Sequence, residues 1–230
     1  MVILSLDTAT EACSAALHGH GAVRVRYAEL ERGHAERILG MIDELLAEAH
    51  LALRDLDALA FGRGPGAFTG VRLAASIAQG LAFGAGIPLI AVSDLRALAQ
   101  RVLEAVPQAA SVLAASDARM GEVYWACYRR DERGLATPSG QGEQVSAPDR
   151  VTLPAGLAEP LHGVGSGFRV HPQLARGLSA ALAATHFWLP RAEEVGRLAL
   201  EEAAAGRYVK LEDAVPVYLR DDVARATSRN

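Results

Sequence analysis

The first apolar run, residues 2–6, stops at Asp7, and a second covers residues 13–17. Gly19-His20-Gly21 marks a turn, beyond which Val23, Val25 and Tyr27 alternate with Arg24 and Arg26. Period-two alternation predicts a half-solvated strand. The chain should therefore open as a meander of three strands, the first buried on both faces. From residue 34 to 49 the period lengthens. Ile38, Met41, Ile42, Leu45, Leu46 and Ala49 recur at three- and four-residue steps, with Leu39 widening the stripe, which predicts an amphipathic helix. Gly40 inside that helix costs about 1 kcal/mol against alanine. A second backbone coming close would explain it, whether from its own sheet or from a partner helix.

Residues 56–61 predict a strand that runs into the glycine-rich segment 62–70, and a helix follows over 71–85 with Ala74, Ala75, Ala78 and Ala82 along it. Gly86 ends this helix, and Ile87-Pro88 returns the chain to an extended course. Residues 89–92 predict the next strand. Ser93 then caps a helix toward Val102, with Asp94 in the first turn, where a negative charge is favoured. The order β-β-β-α-β-α-β-α predicts a mixed sheet covered on both faces.

The second half begins in the same way. Residues 111–116 are an apolar run ending at Asp117, Gly121 makes a turn, and residues 122–130 predict a strand with Val123, Trp125 and Cys127 on one face. Residues 131–150, rich in Gly, Glu, Gln, Pro and Ser, predict an exposed loop or a ragged hairpin. Strands are expected over 161–164 and 182–187, and a helix over 191–205 stopped by Gly206. Pro216-Val217-Tyr218-Leu219-Arg220 is an apolar cluster that should dock on something. Identity between the halves is slight, so a duplication rests on pattern alone.

At 230 residues the chain can build one large core or two modest lobes. It is 50% apolar but only 5% aromatic, so Ala, Leu, Val and Ile must fill the interior. The net charge of −4 and the absence of a basic run longer than Arg129-Arg130 argue against autonomous nucleic-acid binding. Cys13 and Cys127 have neither metal nor disulfide spacing and read as small buried hydrophobes. The opening MVILSLDTAT lacks a basic flank and Asp7 interrupts its apolar run, so no signal peptide is expected. No stretch has the composition of a membrane span, and a reducing cytoplasm fits all of this.

Three places could carry chemistry. Gly62, Gly64, Gly66 and Gly70 lie between a strand and a helix. Glycine admits positive φ and close approach of a ligand, and the helix start favours an anion. A tight turn that only packs is the equal alternative. The segment is not a Walker A loop, because the only lysine of the chain is Lys210, and it lacks the dinucleotide spacing. Asp7-Thr8-Ala9-Thr10 could hold a hydrated metal and a phosphate, or simply satisfy turn amides. Asp117 ends the matching strand of the second half and could face Asp7 across a cleft. The seven histidines offer no zinc spacing, and Gly165-Ser166-Gly167 is not a nucleophile elbow.

Several strings together are similar to the TsaB family, also called YeaZ. They are residues 3–17 (Ile-Leu-Ser-Leu-Asp-Thr-Ala-Thr onward), His34-Ala35-Glu36-Arg37-Ile38-Leu39, residues 62–72, Asp117-Ala118-Arg119-Met120-Gly121-Glu122-Val123-Tyr124 and residues 216–220. The likeness is dense over residues 1–129 and thin over 131–206. It implies an α/β, actin/Hsp70/sugar-kinase-like fold of two RNase H-like lobes, with a mixed five-stranded sheet in the first. Residues 1–102 would form the N-terminal lobe, onto which a helix at about 191–206 is free to pack back, and residues 103–230 the C-terminal lobe.

The resemblance further implies a cytoplasmic, non-catalytic subunit required for N6-threonylcarbamoyladenosine formation in tRNA. It would bind and support the threonylcarbamoyl transferase TsaD, together with the ATPase TsaE. It would form a homodimer when alone and meet tRNA only through the complex, with no membrane contact. TsaD carries a His-x-x-x-His metal pair where this chain has Asp94 and Leu98. A leucine cannot ligate, so neither metal, cofactor nor independent transferase activity is expected. The implied partner surface comprises His34, Ile38, Leu39, Met41, Ile42, Leu45, Leu46 and Arg72. Asp7, Thr8, Gly64, Gly66, Gly70 and Asp117 stand as candidates for a nucleotide or phosphate. A small kinase or ATPase of the same fold, and a dimerising scaffold with a fossil site, are the competing readings.

Overall fold

A computed structural model describes residues 1–177 and 182–220. Strands β1 (Ile3–Asp7), β2 (Ala12–Gly19) and β3 (Ala22–Glu29) form the opening meander, followed by α1 (His34–Ala49), β4 (Ala58–Gly62), α2 (Phe68–Ala85), β5 (Leu89–Val92) and α3 (Asp94–Ala105). They build a five-stranded sheet in the order β3-β2-β1-β4-β5. The β1–β2 and β2–β3 pairs are antiparallel, and the β1–β4 and β4–β5 pairs parallel.

The second half repeats that plan. Strands β6 (Ser111–Asp117), β7 (Val123–Arg130), β8 (Ala136–Ser146), β9 (Leu161–Val164) and β10 (Leu182–Ala184) form a sheet in the order β10-β9-β6-β7-β8. The directions match as well: β6–β7 and β7–β8 are antiparallel, β6–β9 and β9–β10 parallel. Short helices α4 (Ser166–Val170) and α5 (Gln173–Gly177) stand where α2 stands in the first sheet, and α6 (Ala192–Ala204) follows β10. Between β8 and β9 no α-helix occurs, only a single 3-10 turn at Pro148–Arg150, so α1 has no counterpart. The chain is thus a mixed α/β protein with two sheet-containing lobes.

Residues 136–146, expected as loop or ragged hairpin, form the edge strand β8. An edge strand needs only one partner, so Pro138, Gly140 and Gly142 are tolerated there, and a register shift opposite Trp125 and Cys127 absorbs the irregularity. Helix α2 starts at Phe68 rather than Val71, taking Gly70 into its first turn.

One face of the first sheet, with Leu4, Leu6, Leu17 and Phe61, is covered by the Ile38–Leu46 stripe of α1 and the alanines of α2. Its other face, with Ile3, Ala58, Ala60 and Ile90, is covered by α6 through Val195, Leu198 and Ala199. Helix α3 covers the second sheet instead, with Leu95, Leu98 and Val102 against Val112, Ala114 and Ala126. The two helices cross between the lobes: each sheet is closed by a helix from the opposite half of the chain. Ser14 Oγ accepts from the Ala192 amide at 2.9 Å and Ser5 Oγ donates to the Ala192 carbonyl at 2.7 Å, fixing the start of α6 to β1 and β2. Among the described residues no helix is long and apolar enough to cross a membrane.

Candidate functional site

Between the lobes lies a cleft of about 810 Å³, bounded by residues 8–11, 30–36, 66–71, 116–120 and 217–220. Its floor is made where the β1–β2 turn meets the glycine-rich turn. Ala67 donates its amide to the Ala9 carbonyl at 2.7 Å, and Thr8 Oγ1 donates to the Gly70 carbonyl at 2.8 Å. The glycines let these two backbones touch. A Cβ on Gly66 would sit 2.5 Å from the Ala9 carbonyl oxygen, and one on Gly70 would overlap that of Thr8. Close approach of chain to chain, more than of chain to ligand, accounts for glycine at both positions.

Of the six residues expected to face a phosphate, Thr8, Gly66, Gly70 and Asp117 line the cleft, whereas Asp7 and Gly64 lie behind it. Asp7 therefore does not face Asp117. It is fully buried, and its Oδ1 accepts from the Ala9 amide at 2.7 Å. Its neighbour is Asp94, also buried, whose Oδ2 accepts from the Gly64 amide while the Asp94 amide donates to the Gly64 carbonyl at 3.0 Å. Burial raises the pKa of both acids, and the adjacent Asp7 charge pushes Asp94 well above the usual carboxylate range. Asp94 is thus not the solvent-facing, dipole-favoured acid its place in the first turn of α3 suggests. Burial outweighs the helix-end preference.

Asp117 is held in the opposite wall. Its Oδ1 lies 3.0 Å from His171 Nε2 and accepts from the Arg119 amide at 3.2 Å, and its own amide donates to Ser166 Oγ at 3.0 Å. Above it the β6–β7 hairpin tip turns through positive φ at Arg119, Met120 and Gly121, leaving Met120 85% exposed. Among the described residues no group of three or more His, Cys, Asp or Glu side chains could hold a metal ion.

The tail docks across the glycine-rich turn. Val217 donates its amide to the Arg63 carbonyl at 2.9 Å. Arg72 Cζ lies over the Phe68 ring, 3.3 Å from its centroid, and Arg72 donates Nε–H to the Tyr218 hydroxyl at 2.7 Å. Arg220 donates to the Ala118 carbonyl at 3.2 Å and pairs with Glu122 at 2.5 Å. The tail thereby joins the first lobe to the second.

The residues expected at a partner surface divide sharply. Ile38, Met41, Ile42, Leu45 and Leu46 are buried beneath α1, so they cannot meet another chain. The breadth of the stripe serves the chain's own sheet. Leu39 is 45% exposed and Arg72 is exposed, while His34 is half-buried with Nε2 3.0 Å from the Thr10 carbonyl. On α2 the outward positions are Ser76, Gly80 and Gly84 at four-residue steps, with Phe83 77% exposed beside them. Among the described residues, nothing outside the local helix backbone lies within 4 Å of where a Cβ would stand on Gly40, Gly80 or Gly84. Asp94 was not singled out from the sequence for the role it has. Its signal was there: Leu98 and Val102, one and two turns on, are buried, which places Asp94 on the same inward row.

The model of the family described as TsaD, tRNA N6-adenosine threonylcarbamoyltransferase, matches residues 28–225. The tRNA threonylcarbamoyladenosine biosynthesis protein TsaB of Escherichia coli (strain K12) is 44% identical over 228 residues, covering 97% of this chain and 96% of that protein. The protein of the same name from Haemophilus influenzae is 40% identical over 232 residues, covering 97% and 95%. A solved structure of YeaZ from Pseudomonas aeruginosa superposes with a TM-score of 0.87 at 45% identity, covering 95% of this chain and 99% of that one.

Proposed function

The chain belongs to the TsaB (YeaZ) family, and on that premise we propose how its geometry serves N6-threonylcarbamoyladenosine formation in tRNA. It is a non-catalytic accessory protein of that pathway. Its working surface is the outer side of the first lobe, where the exposed rows of α1 and α2 receive the transferase TsaD. Leu39 and Gly40 on one helix, and Arg72, Ser76, Gly80 and Phe83 on the other, present apolar area beside side chains too small to keep a partner helix away. Helix axes approach to about 8 Å only where such small residues meet. The observation that carries this reading is the uncovered glycine and serine row of α2, flanked by an exposed Phe83. Such a row weakens an isolated helix and gains from being covered.

The same face supports a homodimer when TsaD is absent, while TsaE and tRNA join through the complex. The repeated strand order supports two RNase H-like lobes of the actin, Hsp70 and sugar-kinase kind, residues 1–102 and 103–230, with α6 returned onto the first. Thr8, Gly66, Gly70 and Asp117 on the cleft lining are the positions from which a phosphate would be met.

Calorimetric titration of TsaD with Leu39→Arg and Gly80→Leu tests the face. Leu39→Arg should melt like the parent and Gly80→Leu no lower, and both should bind at least tenfold more weakly. Unchanged affinity would remove this surface from consideration. Reconstituted tRNA modification with and without the chain measures the dependence of the transferase on it.

A further inference from the structure

Two buried carboxyl oxygens, Asp7 Oδ2 and Asp94 Oδ1, have no hydrogen-bond donor among the described residues. Both crowd the space where a side chain on Gly62 would begin. A Cβ there would lie 2.6 Å from Asp94 Oδ1 and 3.0 Å from Asp7 Oδ2. The other oxygen of each acid is already held by a main-chain amide, that of Ala9 for Asp7 and that of Gly64 for Asp94. Two carboxylates this close and this deep cannot both ionise, because burial and mutual repulsion both favour the neutral form. The neutral form is a donor, and it satisfies both orphaned atoms at once.

We propose that Asp94 keeps its proton and donates it from Oδ1 to Asp7 Oδ2. This single acid–carboxylate bond pins the glycine-rich turn to the end of β1 and the start of α3. Asp94 is thereby a positioning residue for the cleft floor. The groups around the pair agree with this distribution. His34 of α1 lowers the pKa of Asp7 and so favours its charge. Arg63 stands beside Asp94 but is engaged by Glu143 of β8 at 3.0 and 3.1 Å. The Tyr128 hydroxyl of β7 is directed to Ser93 Oγ, at 3.4 Å, and Cys13 of β2 is buried, with its thiol pushed up to about 11. None of them supplies the missing donor.

The sign of the pH effect follows. The folded chain holds a proton that the unfolded chain releases near pH 4. Stability is therefore lost as pH rises from the ordinary carboxylate range toward the raised pKa of the pair. Asp94→Asn replaces the acid by a permanent donor of the same shape, its amide oxygen taking the Gly64 amide and its NH2 reaching Asp7. It carries no such penalty.

Infrared spectra of the full chain with isotope-labelled aspartate, and thermal melts from pH 5 to 9, test this. At neutral pH the parent should show a protonated carboxyl stretch that Asp94→Asn lacks. The melting temperature of the variant should exceed that of the parent by a margin growing about 3–5 °C per pH unit until the shared proton is lost. Asp7→Asn, in which the donor and acceptor exchange roles, should also remove the stretch and fold. Absence of the stretch in the parent, or an Asp94→Asn melt that runs parallel to and below the parent at every pH, would overturn the shared proton.

Discussion

Arg63 and Glu143 form a two-pronged ion pair across the lobes, NH1 to Oε2 at 3.0 Å and NH2 to Oε1 at 3.1 Å. Arg63 belongs to the glycine-rich turn and Glu143 to the edge strand of the second sheet, 80 residues on. Side-chain exposures of 26% and 13% keep the pair partly out of water, where parallel guanidinium–carboxylate bonds are strongest. Glu143→Ala should lower stability to urea by about 1–2 kcal/mol and speed amide exchange in residues 62–66. Arg63→Lys should recover little, because an ammonium cannot make both bonds.

Glycines of this chain do opposite jobs in one helix. Gly70→Ala would drive a methyl into the Thr8 carbonyl and should unfold the cleft floor, visible as a loss of several kcal/mol and of soluble yield. Gly80→Ala meets nothing and should stabilise the isolated chain by about 0.5–1 kcal/mol through helix propensity. Chemical denaturation of the pair of variants separates the two roles. Equal destabilisation by both would contradict them.

Leu39 and Ile42 are three residues apart on α1, with 45% and 2% of their surface exposed. An arginine at 39 should leave the melting temperature within about 2 °C of the parent. At 42 it buries an unpaired cation and should cost more than about 4 kcal/mol. A far-ultraviolet circular dichroism melt decides this before any binding experiment is interpreted.

His18 is 3% exposed, with Nε2 unpartnered among the described residues and pressed against Gly196, where a Cβ would overlap the ring. Burial lowers its pKa. The folded chain thus takes up fewer protons than the unfolded one below about pH 6.5, and stability should fall as pH drops through that window. His18→Gln should flatten this acidic limb in melts between pH 7 and 5. A limb unchanged by the substitution would assign the effect elsewhere.

Most elements were legible because their periods are clean: α1 and β5 are found at 34–49 and 89–92, where the pattern puts them. The edge strand β8 was not, since proline and glycine forbid a central strand but not an edge. The burial of Asp94 was readable in principle from Leu98 and Val102, yet its partner lies 87 positions earlier, and no local pattern links them. The partner face failed for a related reason. A broad apolar stripe does not say how much of it the chain's own sheet will use, and here the sheet takes all but Leu39. The glycine-rich turn left two readings open, and only the positions of the Thr8 and Ala9 carbonyls make most of it a close-packing device.

The crossing of α3 and α6 bears on synthesis. While a ribosome is still making the second half, the first sheet has all five strands but lacks α6, whose Val195, Leu198 and Ala199 supply most of the cover over Ile3, Ala58, Ala60 and Ile90. The first half cannot complete its own interior co-translationally. Cutting the chain between α3 and β6 should give two fragments that are each sticky alone and that gain order only when mixed.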